Sequence, residues 1–285
     1  MQVAIATDSS LPELDPDNAG LLRVLAEREV SAVPVVWEDA TFDWSSVDSC
    51  IVRATFDYVH KRQLFLDWAD RVSQQTRLFN NAETLRWNSH KEYLLELEAR
   101  GVPVVPSALL RSGERADLQQ LMAEHDWDRV VVKPAVSASA RETFLVDIEH
   151  VPVGQIRLER LLAREDLLVQ PFMAGIPVSG EVSIIYVNGR YSHAVRLMPK
   201  EGDFRVQSEF GGTRERVSPR TAELLVADHV LEVSPGDSLY ARVDLLTDGS
   251  GEIRLGELEM VEPCLHLRLC PDGAVRLADA IMQLQ

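Results

Sequence analysis

The chain has 285 residues, enough for two compact domains or one domain with an elaborated lid, and 46% of them are hydrophobic, which is ample for a core. Its formal charge of −16 argues against a nucleic-acid backbone or an anionic membrane surface as the main partner. No apolar run approaches the ~20 residues a membrane span needs, and MQVAIATDSS has too short an apolar stretch for a signal peptide.

The first third reads as alternating strands and helices. VAIAT (3–7) is a buried strand, GLLRVLAEREV (20–30) an amphipathic helix, AVPVVW (32–37) and SCIVRAT (49–55) two further strands, and KRQLFLDWADRV (61–72) a helix. Strands separated by helices predict a small open α/β domain with a parallel sheet, ending near residue 80. A helix over 89–101 then leads into VPVVP. It is followed by a helix near 116–124, the strand RVVVKPAV (129–136) closed by the small-residue loop VSASARET, a helix near 155–164 and the strand DLLVQPFM (166–173). EVSIIYVNGRYSHAVRLMP (181–199) predicts a hairpin turning at Asn188-Gly189. The polar, glycine-bearing loop EGDFRVQSEFGGTRERV precedes a helix at 219–231. A last hairpin turns at 248–251, and a helix at 275–284 closes the chain.

Cys50, Cys264 and Cys270 cannot all pair and lie in apolar strand-like contexts, which reads as reduced thiols and a cytoplasmic protein. CLHLRLC (264–270) lacks the close cysteine spacing of a zinc site, so these side chains are assigned structural roles.

The informative residues are charges that strands should not carry. In LGELEMVEP (255–263) Glu257 and Glu259 share one strand face, and a tight turn brings Asp244 of LYARVDLL across from them. Oxygen-only ligands without histidine or thiolate suit a hard cation such as Mg²⁺; the alternative is a solvated outer face of a two-stranded ribbon. Lys133 ends a valine-rich strand ahead of a small-residue loop, a common place to grip a polyphosphate, while Lys91 lies on the first turns of the helix at 89–101. Arg196 and Arg205 flank the loop ending in FGGT, where guanidinium groups and the amides of Gly211 and Gly212 can hold an anion.

The order of these features, helix lysine, strand lysine, small-residue loop, Gln-Pro-Phe hinge, acidic strand, arginine loop, aspartate strand, Glu-x-Glu strand, resembles the ATP-grasp superfamily over about residues 80–270, in its glutathione synthetase and ribosomal-protein glutamate ligase branch. VRATFDYVHKRQLFLDWA, LFNNAETLRWNSHKEYLLELEARGVPVVPS and VVKPAVSASARET are similar to the bacterial group that contains the O-ureido-serine cyclo-ligase of cycloserine biosynthesis.

The resemblance implies an α/β fold in three parts: an N-terminal open parallel α/β domain (1–80), a central lid subdomain (81–168) and a C-terminal antiparallel-sheet subdomain (169–285). ATP would lie between two antiparallel sheets. By the same resemblance Lys91 and Lys133 contact its phosphates, Ser137 and Ser139 belong to the closing loop, Gln170 and the backbone of Phe172 meet the adenine, and Glu181 meets the ribose. Asp244, Glu257 and Glu259 match the ligands of two Mg²⁺ ions, with Mn²⁺ a substitute; asparagine is usual at the third position, so Glu259 departs from the pattern, as Ser183 departs from the frequent arginine or lysine. Arg196 and Arg205 match the arginines that hold the transferring phosphoryl group. A substrate carboxylate would become an acyl phosphate and an amine would displace the phosphate, within one molecule or between two; a nucleotide-binding regulatory module without turnover is the reading from another class. Specificity would come from strand-end residues of the first domain, with Thr7, Asp8, Arg53 and Thr55 the candidates. The expected partner is a small-molecule substrate, with no nucleic acid or membrane, and the expected assembly is a homodimer.

Overall fold

The structure, a computed structural model, describes residues 1–207 and 210–283. β1 (Gln2–Thr7), α1 (Ala19–Glu27), β2 (Ser31–Val36), β3 (Ser49–Ala54), α2 (Arg62–Ser73) and β4 (Arg77–Phe79) form a parallel sheet in the order β2-β1-β3-β4. Its central strands β1 and β3 are largely apolar and buried because both faces are covered, while the edge strand β2 is half-exposed. Ala4, Ala6, Cys50 and Val52 pack with Phe65, Trp68 and Val72 of α2 and with Trp37 and Trp44, while Val3, Ile5 and Ile51 pack on Leu21 and Leu25 of α1.

α3 (Ala82–Asn88), without counterpart in the sequence reading, comes next; the helix expected over 89–101 is the shorter α4 (Tyr93–Ala99), and Lys91 lies in the turn between the two rather than on a helix. β5 (Ala108–Leu110), α5 (Leu118–Glu124), β6 (Arg129–Pro134), β7 (Phe144–Asp147), α6 (Val151–Leu162) and β8 (Leu167–Pro171) follow. Their strands make an antiparallel sheet in the order β5-β8-β6-β7, with Leu118, Met122, Leu158 and Leu161 from the two helices closing one apolar core. β7 and β5 have no counterpart in the sequence reading; each is too short to show periodicity.

α7 (Ile176–Ser179), β9 (Glu181–Val187), β10 (Arg190–Met198), β11 (Thr213–Val217), α8 (Thr221–Val233), β12 (Tyr240–Thr247), β13 (Ile253–Glu259) and α9 (Pro271–Gln283) complete the chain. The second antiparallel sheet runs β11-β10-β9-β12-β13, with both expected hairpins in it. β11, TRERV, escapes sequence reading because it is a charged edge strand without apolar alternation. The final helix packs its Leu277, Ala278 and Ile281 against α1 and the parallel sheet, so the end of the chain completes the core of its beginning. Among the described residues no helix is long and apolar enough to cross a membrane.

Candidate active site

A cavity of about 900 Å³ opens between the two antiparallel sheets and the C-terminal edge of the parallel sheet. β13 forms its acidic wall, and the reason lies in how β13 is held. One edge pairs with β12; on the other, Asn88 donates to the Leu258 carbonyl (2.8 Å) and accepts from the Met260 amide (2.7 Å), and the Tyr93 hydroxyl accepts from the Leu258 amide (3.0 Å). Leu258 and Met260 are thereby buried, and alternation turns Glu257 and Glu259 to the cavity. The pairing sets Asp244 opposite Glu257 and Arg242 opposite Glu259, and a bulge at Gly256 interrupts the ladder beside them. Four charged residues thus share one face in two cross-strand pairs.

Their partners are specific. Lys133 Nζ meets Glu257 Oε1 at 2.6 Å, and Lys91 Nζ meets its Oε2 at 3.2 Å while also donating to the Ser137 carbonyl. Burial alone would push the Glu257 carboxyl up, but the two lysines outweigh it and hold it well below the usual carboxylate range. Arg242 donates to Asp244 through Nε and Nη2 (both 2.9 Å) and to Glu259 through Nη2 (2.5 Å), and Ser183 donates to Asp244 Oδ1 at 2.6 Å. Burial, then the neighbouring Asp244 and Glu257, outweigh Arg242 and raise the Glu259 carboxyl to about 7. Glu181 also lines the cavity and is raised well above its usual value, by burial first and Asp244 second.

Among the described residues no three histidine, cysteine or acidic side chains stand together as a ready metal site, because cations of the protein occupy the spaces between these carboxylates. The donors themselves are all carboxylate oxygens with no imidazole or thiolate, a set that fits Mg²⁺.

The other sequence candidates divide. Lys91, Lys133, Ser137, Ser139, Gln170, Glu181, Arg205 and Arg53 line the cavity. Gln170 is nearly buried, with its amide on the Ser107 hydroxyl at 2.9 Å. Arg205 is held by Asp203 through two hydrogen bonds and stacks 3.6 Å from the Phe210 ring centroid. Arg196, by contrast, is not brought to the cavity. It is one residue out of phase with Leu197, whose side chain lines it, and strand alternation sends Arg196 to the opposite face of β10. The arginine on the cavity side is Arg214 of β11, paired in register with Leu197. Phe172 is also outside the lining: its amide is donated to the Arg129 carbonyl at 2.8 Å and its ring is covered by the Arg129 guanidinium.

Gly211 and Gly212 shape the arginine loop without lining the cavity, and Ser208 and Glu209 of that loop lie outside the described residues. A side chain at Gly212 would meet the Val206 carbonyl at 2.2 Å. Thr7 and Asp8 are turn formers, the hydroxyl bonded to the Leu11 carbonyl and the carboxylate to the Ser10 amide and hydroxyl. Thr55 is fully buried.

Sequence reasoning missed Arg242, Arg214 and Glu262. For Arg242 a signal existed, since it stands two residues before Asp244 on the same strand face; Arg214 hid in the unread β11. Cys264 Sγ lies 3.5 Å from His266 Nδ1, but burial first and Asp17 second push the thiol up to about 11, so this pair supplies no thiolate at neutral pH.

Residues 97–254 match the family described as the ATP-grasp domain of prokaryotic glutathione synthetase, which covers more than half the chain, and residues 3–80 match the N-terminal domain of the D-cycloserine synthetase DcsG. The chain belongs to the ATP-grasp ligases, ADP-forming enzymes that make C–N bonds. Within that class it is similar along its whole length to the cycloserine biosynthesis protein DcsG of Streptomyces lavendulae, 28% identical over 99% of this chain and 98% of that one. The crystal structure of D-cycloserine synthetase DcsG superposes with a TM-score of 0.89 at 26% identity, covering 100% of this chain and 99% of that one. A RimK-domain ATP-grasp protein from Sphaerobacter thermophilus shares the fold, with a TM-score of 0.70 at 18% identity over 98% of this chain and 99% of that one.

Proposed function

We propose that this enzyme activates the carboxylate of a small amino-acid-like substrate as an acyl phosphate and closes it onto a nitrogen of the same molecule, as a cyclo-ligase of the O-ureido-serine type. The observation that carries the reading is the Lys91–Glu257–Lys133 arrangement facing Asp244 across one antiparallel pair, a set of groups with the charge and spacing to exchange internal partners for phosphate oxygens. Similarity to DcsG over the whole chain supports the substrate class, and the match of residues 3–80 to the DcsG N-terminal domain supports a first domain ending near residue 80; a lid subdomain over 81–168 and a catalytic subdomain over 169–285 belong to the same reading.

In this reading Lys91 and Lys133 leave Glu257 for the phosphates, Gln170 faces the adenine and Glu181 the ribose. Asp244, Glu257 and Glu259 offer the oxygens for Mg²⁺, two ions with Mn²⁺ a substitute, and the bound metal would offset charge on the phosphate oxygens. The substrate carboxylate attacks the γ-phosphorus and ADP departs; the nitrogen then attacks the acyl carbon, phosphate leaves, and the nitrogen loses its proton. Arg205, Arg214 and Arg242 surround the cavity where negative charge moves from one oxygen to the next, and Ser137 and Ser139 belong to the loop that shields the acyl phosphate from water. The protein acts on small molecules in the cytoplasm as a homodimer.

The test is ADP and phosphate release with ATP and Mg²⁺ against a panel of D- and L-amino acids that includes O-ureido-serine, with products weighed by mass spectrometry. Release tied to one amino acid, with a product that contains no second molecule, is the expected result. A dipeptide mass would replace cyclisation by an intermolecular ligase, and binding of ATP with no release from any compound would point to a nucleotide-binding module.

A further inference from the structure

Beside the acidic wall, Glu262 lines the cavity at 8% exposure, and its carboxylate has no hydrogen-bond or ion-pair partner among the described residues other than its own backbone amide. That is unusual chemistry in this protein. Glu257, Glu259 and Asp244 each have a cation within 3.2 Å, and a buried carboxylate without one is costly to ionise. Lys91 and Arg242 act on Glu262 from a distance, but both are committed elsewhere, and Glu259, Tyr58 and Tyr240 complete its charged and titratable surroundings. Burial first, then Glu259, push the carboxyl up to about 8.

The next wall carries a second unanswered group. Arg53 is 1% exposed and lines the same cavity; its Nε donates to Asn18 Oδ1 (3.0 Å) and its Nη2 to the carbonyl of Pro263 (3.0 Å), the residue after Glu262. Its Nη1 is buried and makes no hydrogen bond of good geometry to any described residue, and its guanidinium stands 5.0 Å from the ring centroid of Tyr240, whose hydroxyl it influences. An immobilised arginine on a cavity wall, with one donor that no described residue answers, invites an acceptor from a ligand. Leu11, Phe56, Val261 and Leu269 line the same cavity, together with polar side chains such as Asp15 and Asp17.

We infer that Glu262 is the counter-ion of the substrate's α-ammonium group, with Arg53 Nη1 donating to an uncharged carbonyl-type oxygen elsewhere on the same molecule. This rests on the ligase reading and adds a constraint to it. An ammonium ion held on a carboxylate keeps its proton and has no lone pair to attack with, so the nitrogen that closes onto the acyl phosphate is a different one, carried at the far end of the substrate. The residue therefore selects for amino acids with a second nitrogen and protects the α-amino group from reaction.

Calorimetric titration in the presence of Mg²⁺ and a non-hydrolysable ATP analogue separates the inference from the reading beneath it. O-ureido-serine and the D- and L-amino acid panel are titrated into the wild-type protein and into Glu262→Gln, alongside each compound's analogue lacking the α-amino group. Amino acids are expected to bind the wild-type protein at least about tenfold more tightly than those analogues, and Glu262→Gln is expected to erase that preference while binding the ATP analogue normally. The comparison of ligands on the wild-type protein stands even if the variant folds poorly. Equal affinity for the two ligand series, no binding of any amino acid, or a Glu262→Gln variant that keeps the preference would each overturn the assignment. Selective amino-acid binding without ADP release would sink the ligase reading and leave the ammonium site standing; ADP release that ignores the α-amino group would do the reverse.

Discussion

Around Glu257, two lysines close on one carboxylate at 2.6 and 3.2 Å; around Glu262, a few residues further along the chain, no cation of the described residues comes within bonding reach, and among those residues Arg53 finds no partner for one buried donor. Both regions line one cavity. On the proposed reading, the protein keeps its own cations and carboxylates paired where a charged and common ligand, a polyphosphate with its metal, would exchange with them, so neither is left costly and unpaired in the low dielectric. Where the ligand must be chosen among many similar molecules, unanswered groups discriminate, since a molecule that fails to satisfy them leaves them buried and unpaired.

The paired side can be broken most severely at Glu257. Glu257→Gln removes the charge that both lysines hold and a carboxylate proposed for the metal, and ADP release is expected to fall by about 10²–10³-fold or more, with the melting temperature near that of the parent protein. Activity close to the parent's would mean that Glu257 only neutralises lysines. Lys133→Ala comes next. Loss of one charge-assisted contact to phosphate is expected to weaken ATP by about tenfold to a hundredfold in calorimetry. Unchanged affinity would make the lysine a structural partner of Glu257 alone.

Two arginines on consecutive strands sharpen the comparison further. Arg214→Ala is expected to lower kcat by about tenfold or more, whereas Arg196→Ala, on the far face of β10, should leave kcat within about a factor of two. A reversed order would return Arg196 to the site. The smallest effect concerns acid. His193, bonded to the Leu265 carbonyl at 2.7 Å and packed against Gly273, and His266 are both buried, and burial holds each pKa below the ordinary ~6.5. A group whose folded pKa is depressed binds its proton more readily when unfolded. Its contribution to stability is therefore full above pH ~6.5 and is lost as pH falls toward the folded value. The raised carboxyls of Glu259 and Glu262 act in the opposite sense, gaining stability as pH falls, so the histidine contribution is read as a difference: between pH 7 and 5 the urea midpoint of His193→Gln should fall less, or rise more, than that of the parent, and the same slope in that variant would assign the acid sensitivity to other groups.

Much of this could be read before any coordinates. Apolar runs between helical periods specified the parallel sheet, Asn188-Gly189 and the turn at 248–251 specified two hairpins, and alternation in LGELEMVEP set two glutamates on one face. These are local properties: period, turn chemistry and pairing across a short loop act over a few residues, so the chain displays them directly. What the sequence could not display depends on register and on distant contacts. The helix expected over 89–101 starts only at Tyr93, after a turn whose Lys91 amide is bonded to the Ala135 carbonyl, over forty residues away. Arg196 differs from Arg214 in usefulness because one strand slot exchanges the cavity face for the core face, and nothing in either residue's neighbours along the chain reveals that phase. Arg53 and Glu262 are over two hundred residues apart and meet one cavity only because α9 and the segment after β13 fold back onto the parallel sheet. The sequence by itself determined most of the longer elements, the family and the acidic face. Tertiary structure alone decided which charges are paired and which are left waiting, because burial and partner distance are set by the packing of remote segments rather than by any residue's own chemistry.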